Sequence, residues 1–335
     1  MAYIDDELQQ KVLRIGQEPY AYFDERQVHR LLTENPAEYY RFMRDELADI
    51  AAGLAQLELP PKQVFSDSDS ASDFRVMPCV VRRPGSARKT VKLVGTNTWQ
   101  QLVPDQITVG KAFVLHPQEN FVSHVFEACL LSSARTGLCA AIAIDVLSRS
   151  RENMAFVGAG RVGYYAAFYA ATLGGGGEIS FFDKDYERAR QTAALLTQQI
   201  PSVSFTAIRE IQQASDADVL VLATTSTEPI CHPHGTNANL IVSLGADTDY
   251  QRELDPAWAK VADIFVDTLD CARFGDLNSW QDDGLIDTAK LVDLFQLLRA
   301  GEPCDTNRPR VFVSTGSALF DNLTIGYLLA KSPGF

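Results

Sequence analysis

The stretch MAFVGAGRVG, residues 154–163, places Gly158, Gly160 and Gly163 in a GxGxxG spacing behind an apolar run and ahead of an Ala-rich one. Such a turn can close a strand onto a helix with no ligand at all. In this context the glycines also let the backbone come close to a pyrophosphate, which sits on unpaired N–H groups at the helix start. Gly158, Ala159, Gly160, Arg161, Val162 and Gly163 are therefore read as a dinucleotide-binding turn. Twenty residues past Gly163 the next apolar run ends in Asp183. A carboxylate there accepts from both hydroxyls of the adenosine ribose and repels a 2′-phosphate, so NAD is favoured over NADP. Lys184 follows at once and softens that repulsion. Two loops fall where the working groups of parallel sheets gather, at the carboxyl ends of strands. TTSTEP, 224–229, offers Thr224, Thr225 and Ser226 to the ribose or nicotinamide side. GADTDYQREL, 245–254, offers Asp247, a carboxylate placed to move protons on a reacting amine or water.

The elements that must position these groups follow from periodicity. MAFVG, EISFFD, VSFTAI, DVLVLAT, NLIVSLG and ADIFVD are apolar runs of strand length, with helical stretches such as DYERARQTAALLTQQ between some of them. That alternation predicts a Rossmann-type, doubly wound parallel sheet with helices on both faces. GGGG, 174–177, closes the first crossover helix. Upstream, ACLLSSARTGLCAAIAIDVLS predicts a long helix of small residues. FRVMPCVV, TVKLVG and ITVGKAFVLH predict a strand meander, so the first part of the chain is expected to be an antiparallel or mixed sheet with a helix. Residues 1–18 predict a polar helical extension, YAYFDERQVHRLL a strand leading into a helix, and 37–57 one long amphipathic helix stopped by LPPKQ.

Composition narrows the function. The 335 residues suffice for two domains, and 43 acidic against 30 basic residues leave a net charge of −13, which repels nucleic acid and anionic membrane surfaces. The six cysteines (79, 129, 139, 231, 271 and 304) form no CxxC pair, so neither a zinc site nor a disulfide framework is expected, and a reducing cytoplasm fits best. No export signal and no run of about 18 apolar residues is recognised. SDSDSASD, 66–73, lacks the central Gly and closing Glu of a calcium loop. CHPH, 231–234, has no further metal ligand in view. No metal is expected, and His29, His116 and His124 are read as ordinary helix or strand residues.

Together, MP at 77–78 with VKLVG at 91–95, SSARTG at 132–137, the turn at 158–163, LGADTDYQREL at 244–254 and VFVSTGSALFDNLTIGYLL at 311–329 resemble the ornithine cyclodeaminase/mu-crystallin family from about Tyr22 to Leu329. The resemblance implies a substrate-binding and dimerisation domain built from 1–130 and 315–335. An NAD-binding domain, 131–314, is inserted in it. It also implies a homodimer, a small amino-acid substrate and hydride transfer at the substrate α-carbon. The imine so formed or consumed is hydrolysed, reduced, cyclised or joined to a second amine in different members. Arg135 would grip the α-carboxylate with two parallel donors, Lys92 would point inward beside the carboxylate or amine, Asp247 would be the catalytic carboxylate, and Gly316 and Asp321 would match the Gly and Asp of the last helix. Gly316 is placed with the cofactor set.

The sequence also departs from the family pattern. Lys62 stands where many members have Arg after PP, and can neutralise a carboxylate but not fork onto it. TDY follows Asp247 in place of Pro-Gly-Lys. Arg75 stands where ornithine-acting members tend to carry a carboxylate; facing the pocket, it would repel a distal amine and favour a second acidic group. The expected activity is that of an NAD-dependent amino-acid dehydrogenase. Its substrate would be a simple or N-(carboxyalkyl) amino acid, as in 2,3-diaminopropionate formation, with an ornithine cyclodeaminase-like reaction as the close second branch. A non-catalytic mu-crystallin-like NAD- and ligand-binding protein is the alternative from another class.

Overall fold

The computed structural model describes residues 6–14, 16, 18–66, 72–174, 177–300 and 307–332. Most of the SDSDSASD loop, the middle of the GGGG run and Cys304 lie outside them. The chain opens with α1 (Asp6–Leu13), β1 (Ala21–Phe23), α2 (Glu25–Thr33) and α3 (Pro36–Ala51). Asp24 and Gln27 form a reciprocal capping box that starts α2. The amphipathic pattern that runs on through Leu54 and Leu57 does not stay helical. Gly53 enters the left-handed region at φ +74°, its N–H donates to Ile50, and Leu54 N–H donates to Asp49, a Schellman closure that ends α3.

A sheet follows, made of β2 (Gln56–Glu58), β3 (Gln63–Ser66), β4 (Asp73–Arg83), β5 (Ser86–Thr96), β6 (Thr108–Leu115) and β7 (Val122–Glu127). Its order is β1-β7-β6-β5-β4-β2, with β3 also on β4, and all its pairs are antiparallel except β1 with β7. Period-two alternation assigns the faces: Met77, Cys79, Thr90, Lys92, Ala112 and Val114 point into the protein.

α4 (Ala128–Leu147) is buried along nearly its whole length. Its composition alone would suit a membrane crossing, yet it is a core helix, packed on α5 (Arg161–Thr172), α2 and the last helix, α10 (Ala318–Lys331). A Cβ at Gly137 would lie 2.6 Å from the backbone of Tyr165 and Ala166, so this glycine sets how closely α4 and α5 cross.

The second sheet is wholly parallel. β8 (Asn153–Val157), β9 (Glu178–Phe182) and β10 (Ser204–Ala207) are joined by α5 and α6 (Tyr186–Gln199), and β11 (Val219–Leu222) and β12 (Leu240–Ser243) continue on the other side of β8. α7 (Trp258–Val261), β13 (Asp263–Val266), α8 (Gly275–Asp282), β14 (Val292–Asp293) and α9 (Leu294–Ala300) precede β15 (Arg310–Val313). The order β10-β9-β8-β11-β12-β15-β13-β14 inserts the last strand between β12 and β13. This is the Rossmann-type sheet expected, and its direction of winding reverses between β8 and β11, where such sheets open a crevice.

Candidate active site

At the switch point Gly158 takes φ +102°, and a Cβ there would lie 2.3 Å from the Ala223 carbonyl oxygen. A Cβ on Gly163 would lie 2.0 Å from the Gly158 oxygen. Sterics thus require both glycines, Gly158 against the residue that follows β11 and Gly163 against the turn itself. Gly160 differs: it is the N-cap of α5, makes no side-chain cap, and has open space where its Cβ would be. Uncapped N–H groups at a helix start facing open space suit a pyrophosphate. Asp183, at the end of β9, accepts from Ala159 N–H at 2.8 Å and from Asp185 N–H at 2.9 Å, which fixes its carboxylate beside the turn. Lys184 is exposed, and Arg188 approaches Asp183 at 3.6 Å. Arg161 turns its guanidinium to the Cys129 sulfur rather than along the turn. Among the loop hydroxyls, Thr224 is held inward, Thr225 is exposed, and Ser226 donates to the Glu228 carbonyl.

The second group lies where the β12 loop meets the first sheet. Asp247 Oδ2 accepts from Arg75 Nη1 at 2.8 Å, and Arg75 Nη2 donates to Asp73 at 3.0 Å, so β4 presents both an arginine and its second carboxylate. Thr96 donates to the other Asp73 oxygen at 2.8 Å. With its amide turned so that nitrogen faces acceptors, Gln251 donates to Asp247 Oδ1 at 2.9 Å and to the Gly245 carbonyl at 3.0 Å. Lys62 donates to the Thr315 carbonyl at 3.0 Å and more weakly to that of Asp247 at 3.4 Å, and lies 3.6 Å over the Phe274 ring.

Burial works to raise the Asp247 carboxyl, but Arg75 and Lys62 outweigh it and hold it below the usual range. The same two carboxylates keep the Arg75 cation favoured against its burial. Lys62, with no carboxylate in ion-pair range, is pushed by burial down to about 8.

Deeper in, Lys92 of β5 pairs with Asp321 at 2.6 Å and donates to Ser132 at 3.0 Å. Arg135 of α4 gives its Nε to the other Asp321 oxygen at 2.9 Å. Burial, with Arg135 nearby, pushes Lys92 down to about 7 against the pull of Asp321. Arg135 Nη1 is buried with no partner. Gly316 is not in the last helix: it precedes the Ser317 N-cap of α10, at φ +81°, and its missing Cβ would stand 3.0 Å from Arg135 Nη2. This glycine therefore leaves room at the guanidinium rather than at the dinucleotide turn.

The two groups meet through Thr224 and Gly245, where a Cβ on Gly245 would lie 2.1 Å from the Thr224 oxygen. Sequence reasoning missed Asp73, Gln251, Phe274 and a fully buried Glu253; of these, only Asp73 left a signal, two residues before Arg75 on the same face of β4. CHPH separates: Cys231 is buried under Trp258, while His232 pairs with Asp255 at 2.5 Å, and no metal-binding group occurs among the described residues.

With this geometry in hand, comparison with known proteins gives a consistent result. The profile of the ornithine cyclodeaminase/mu-crystallin family matches residues 27–327. The chain belongs to that family. It is 28% identical to the alanine dehydrogenase of Archaeoglobus fulgidus over 281 residues, 80% of this chain and 82% of the relative. It is 28% identical to the iminosuccinate reductase of Paracoccus denitrificans over 178 residues, 52% and 53% of the two chains. Its fold matches that of the Thermococcus litoralis Δ1-pyrroline-2-carboxylate reductase, solved with NADH and L-proline, at a TM-score of 0.83 and 18% identity over 93% of this chain and 97% of the other.

Proposed function

We propose that this member of the family is an NAD-dependent amino-acid dehydrogenase or imine reductase, transferring hydride at the substrate α-carbon. The observation that carries the reading is Asp247: an ionised carboxylate at the carboxyl end of β12, held by Arg75, two residues beyond the Gly245 that packs on the cofactor-side Thr224. Gly158 to Gly163 would hold the pyrophosphate and Asp183 the adenosine ribose. Bound there, the nicotinamide supplies a hydride acceptor or donor. Arg135, with Nη1 unpartnered and Gly316 leaving space beside it, suits the α-carboxylate. Lys62 adds positive charge on that side, whereas the charge of Lys92 is taken up by Asp321. Asp247 then takes a proton from the substrate ammonium or from water attacking the imine, and returns it in the reverse direction.

Arg75 reaches the site but is shared between two carboxylates. It counts against a substrate with a distal ammonium more than it argues for one with a second acid. That disfavours the cyclodeaminase branch, and the alanine- and imine-acting sequence relatives lean the same way. The outer face of the first sheet supports a homodimer: Phe65 and Phe74 stack at 4.7 Å while 46% and 52% exposed, and Leu93 beside them is 41% exposed. A second copy covering this face would bury apolar area at about 25 cal/mol per Å².

The test is a mass-spectrometric product screen with NAD over alanine, ornithine, lysine and N-(carboxyalkyl) amino acids, following NADH absorbance in parallel. NADH with a 2-oxo acid supports the proposal. A cyclic product with ammonia and no net NADH refutes it in favour of cyclodeamination, and NAD binding without any turnover would favour a mu-crystallin-like ligand-binding protein.

A further inference from the structure

Glu253 is fully buried and has no cation in ion-pair range, yet each of its carboxylate oxygens receives two donors. Oε1 accepts from Thr224 N–H at 2.7 Å and from the Thr224 hydroxyl at 2.9 Å. Oε2 accepts from the Ser243 hydroxyl at 2.7 Å and from Gly245 N–H at 2.9 Å. Burial pushes the Glu253 carboxyl up, and the hydrogen bonds from Ser243, Gly245 and Thr224 pull against that shift, so its acceptors are used on both sides of the carboxyl. All four donors lie at the carboxyl ends of β11 and β12.

The contacts continue outward in both directions. The Ala223 carbonyl occupies the space a Cβ on Gly158 would need, and Thr224 Cγ2 lies 3.4 Å from that position, so Thr224 packs against the cofactor turn. On the other side Gly245 leads in two residues to Asp247. The loop is trapped from behind as well: a Cβ on Gly275, at φ +58°, would lie 2.0 Å from the Ala246 oxygen, and Gly275 N–H donates to the Thr248 carbonyl at 3.2 Å. Asp276 accepts from the Glu253 and Leu254 N–H groups at 3.1 and 3.3 Å, holding Glu253 in place.

We infer that Glu253 is a positioning residue that couples the dinucleotide turn to the Asp247 loop, so that cofactor binding at Gly158–Gly163 orders the proton-transfer carboxylate. The inference rests on the reading of that turn and of Asp247 given above. A purely structural carboxylate would stabilise the fold without transmitting anything between the two loops.

Glu253→Gln separates the two. It keeps the volume, but whichever way its amide turns, its NH₂ faces either Thr224 N–H or Gly245 N–H, which cannot turn away. The measurement is hydrogen–deuterium exchange of peptides covering 158–163 and 244–248, with and without NADH, in wild type and variant. In the wild type NADH is expected to protect both peptides. In Glu253→Gln the turn stays protected while exchange in the 244–248 peptide of the NADH complex speeds up about tenfold, the size of an ordinary coupling between sites. Equal protection of both peptides in the variant overturns the coupling, as does a wild type in which NADH protects the turn but not the loop. A wild type with neither peptide protected overturns the cofactor reading itself. Should Glu253→Gln fail to fold, Ser243→Ala removes one donor from Oε2 alone and is expected to lose part of the loop protection; full protection there refutes the inference.

Discussion

Replacing Arg75 by Gln removes the guanidinium from both Asp247 and Asp73, and the consequence can be sized from their geometry. Charge centres about 4 Å apart interact by about 4 kcal/mol at an effective dielectric of about 20. The Asp247 side chain is 39% exposed, against 12% for Arg75, so water screens much of that attraction. A discounted loss of about 1–2 kcal/mol corresponds to an upward shift of about one pH unit in the Asp247 carboxyl. Asp247 is held below its unfolded value in the native protein. The stability it contributes is therefore present above the unfolded pKa and disappears as pH falls through the folded one. In Arg75→Gln the acid limb of kcat/KM and the acid unfolding midpoint should both move upward, because Asp247 protonates earlier. The assay is the pH profile of kcat/KM for the best amino-acid substrate, with acid unfolding followed by circular dichroism. An unmoved acid limb accompanied by a raised KM for acidic substrates alone would refute this reasoning and make Arg75 a direct substrate ligand.

The other predictions concern the groups around that pair. Asp247→Asn should abolish turnover, by at least about 10²-fold as expected for loss of a proton-transfer group, while NAD binding followed by NADH fluorescence stays nearly intact; retained turnover would end its assigned role. Arg135→Lys exchanges a fork for a point charge beside Asp321 and should raise KM about tenfold or more with a smaller change in NAD affinity, measured by steady-state kinetics. Asp183→Ser removes the charge held by Ala159 N–H and should shift the NAD to NADP preference towards NADP by about tenfold, read from the two dissociation constants. Lys62, cationic below about 8, should lose its charge as pH rises through that value, so KM for the amino acid should climb on the alkaline side, and Lys62→Arg should flatten that rise.

The glycine turn proposed for the cofactor was legible because local sterics dictate its shape. Gly158 and Gly163 contact backbone within the turn or on the adjacent strand, and the strand, helix and Asp183 that complete the motif follow in fixed order. The parallel sheet was legible for a similar reason, since fully buried strands such as LIVS and VLVL read as continuous apolar runs. Where the reading failed, a local signal competed with a pattern. Gly53 was visible in AAGLAQ as a helix stop, but Leu54 and Leu57 kept the helical period beyond it, and the structure follows the glycine.

Pairing of charges is a different kind of information. Lys92 and Asp321 belong to β5 and α10, and Arg135 reaches the same carboxylate from α4; nothing local in any of the three segments states that they converge. The same limit governs Arg75. The sequence left open whether Arg75 faces inward; in the structure its guanidinium lies against Asp247, so whether its charge is free for a substrate depends on a residue in a loop of the other sheet. Its share of Asp73 was readable two residues away, whereas its bond to Asp247 was not. An arginine held by two carboxylates changes a neighbour's protonation rather than adding a vacant cation to the pocket. On the proposed function, specificity would therefore turn on cations of the cleft that no carboxylate neutralises, such as Lys62, and on the outer edge of Arg135, whose Nη1 lacks any partner.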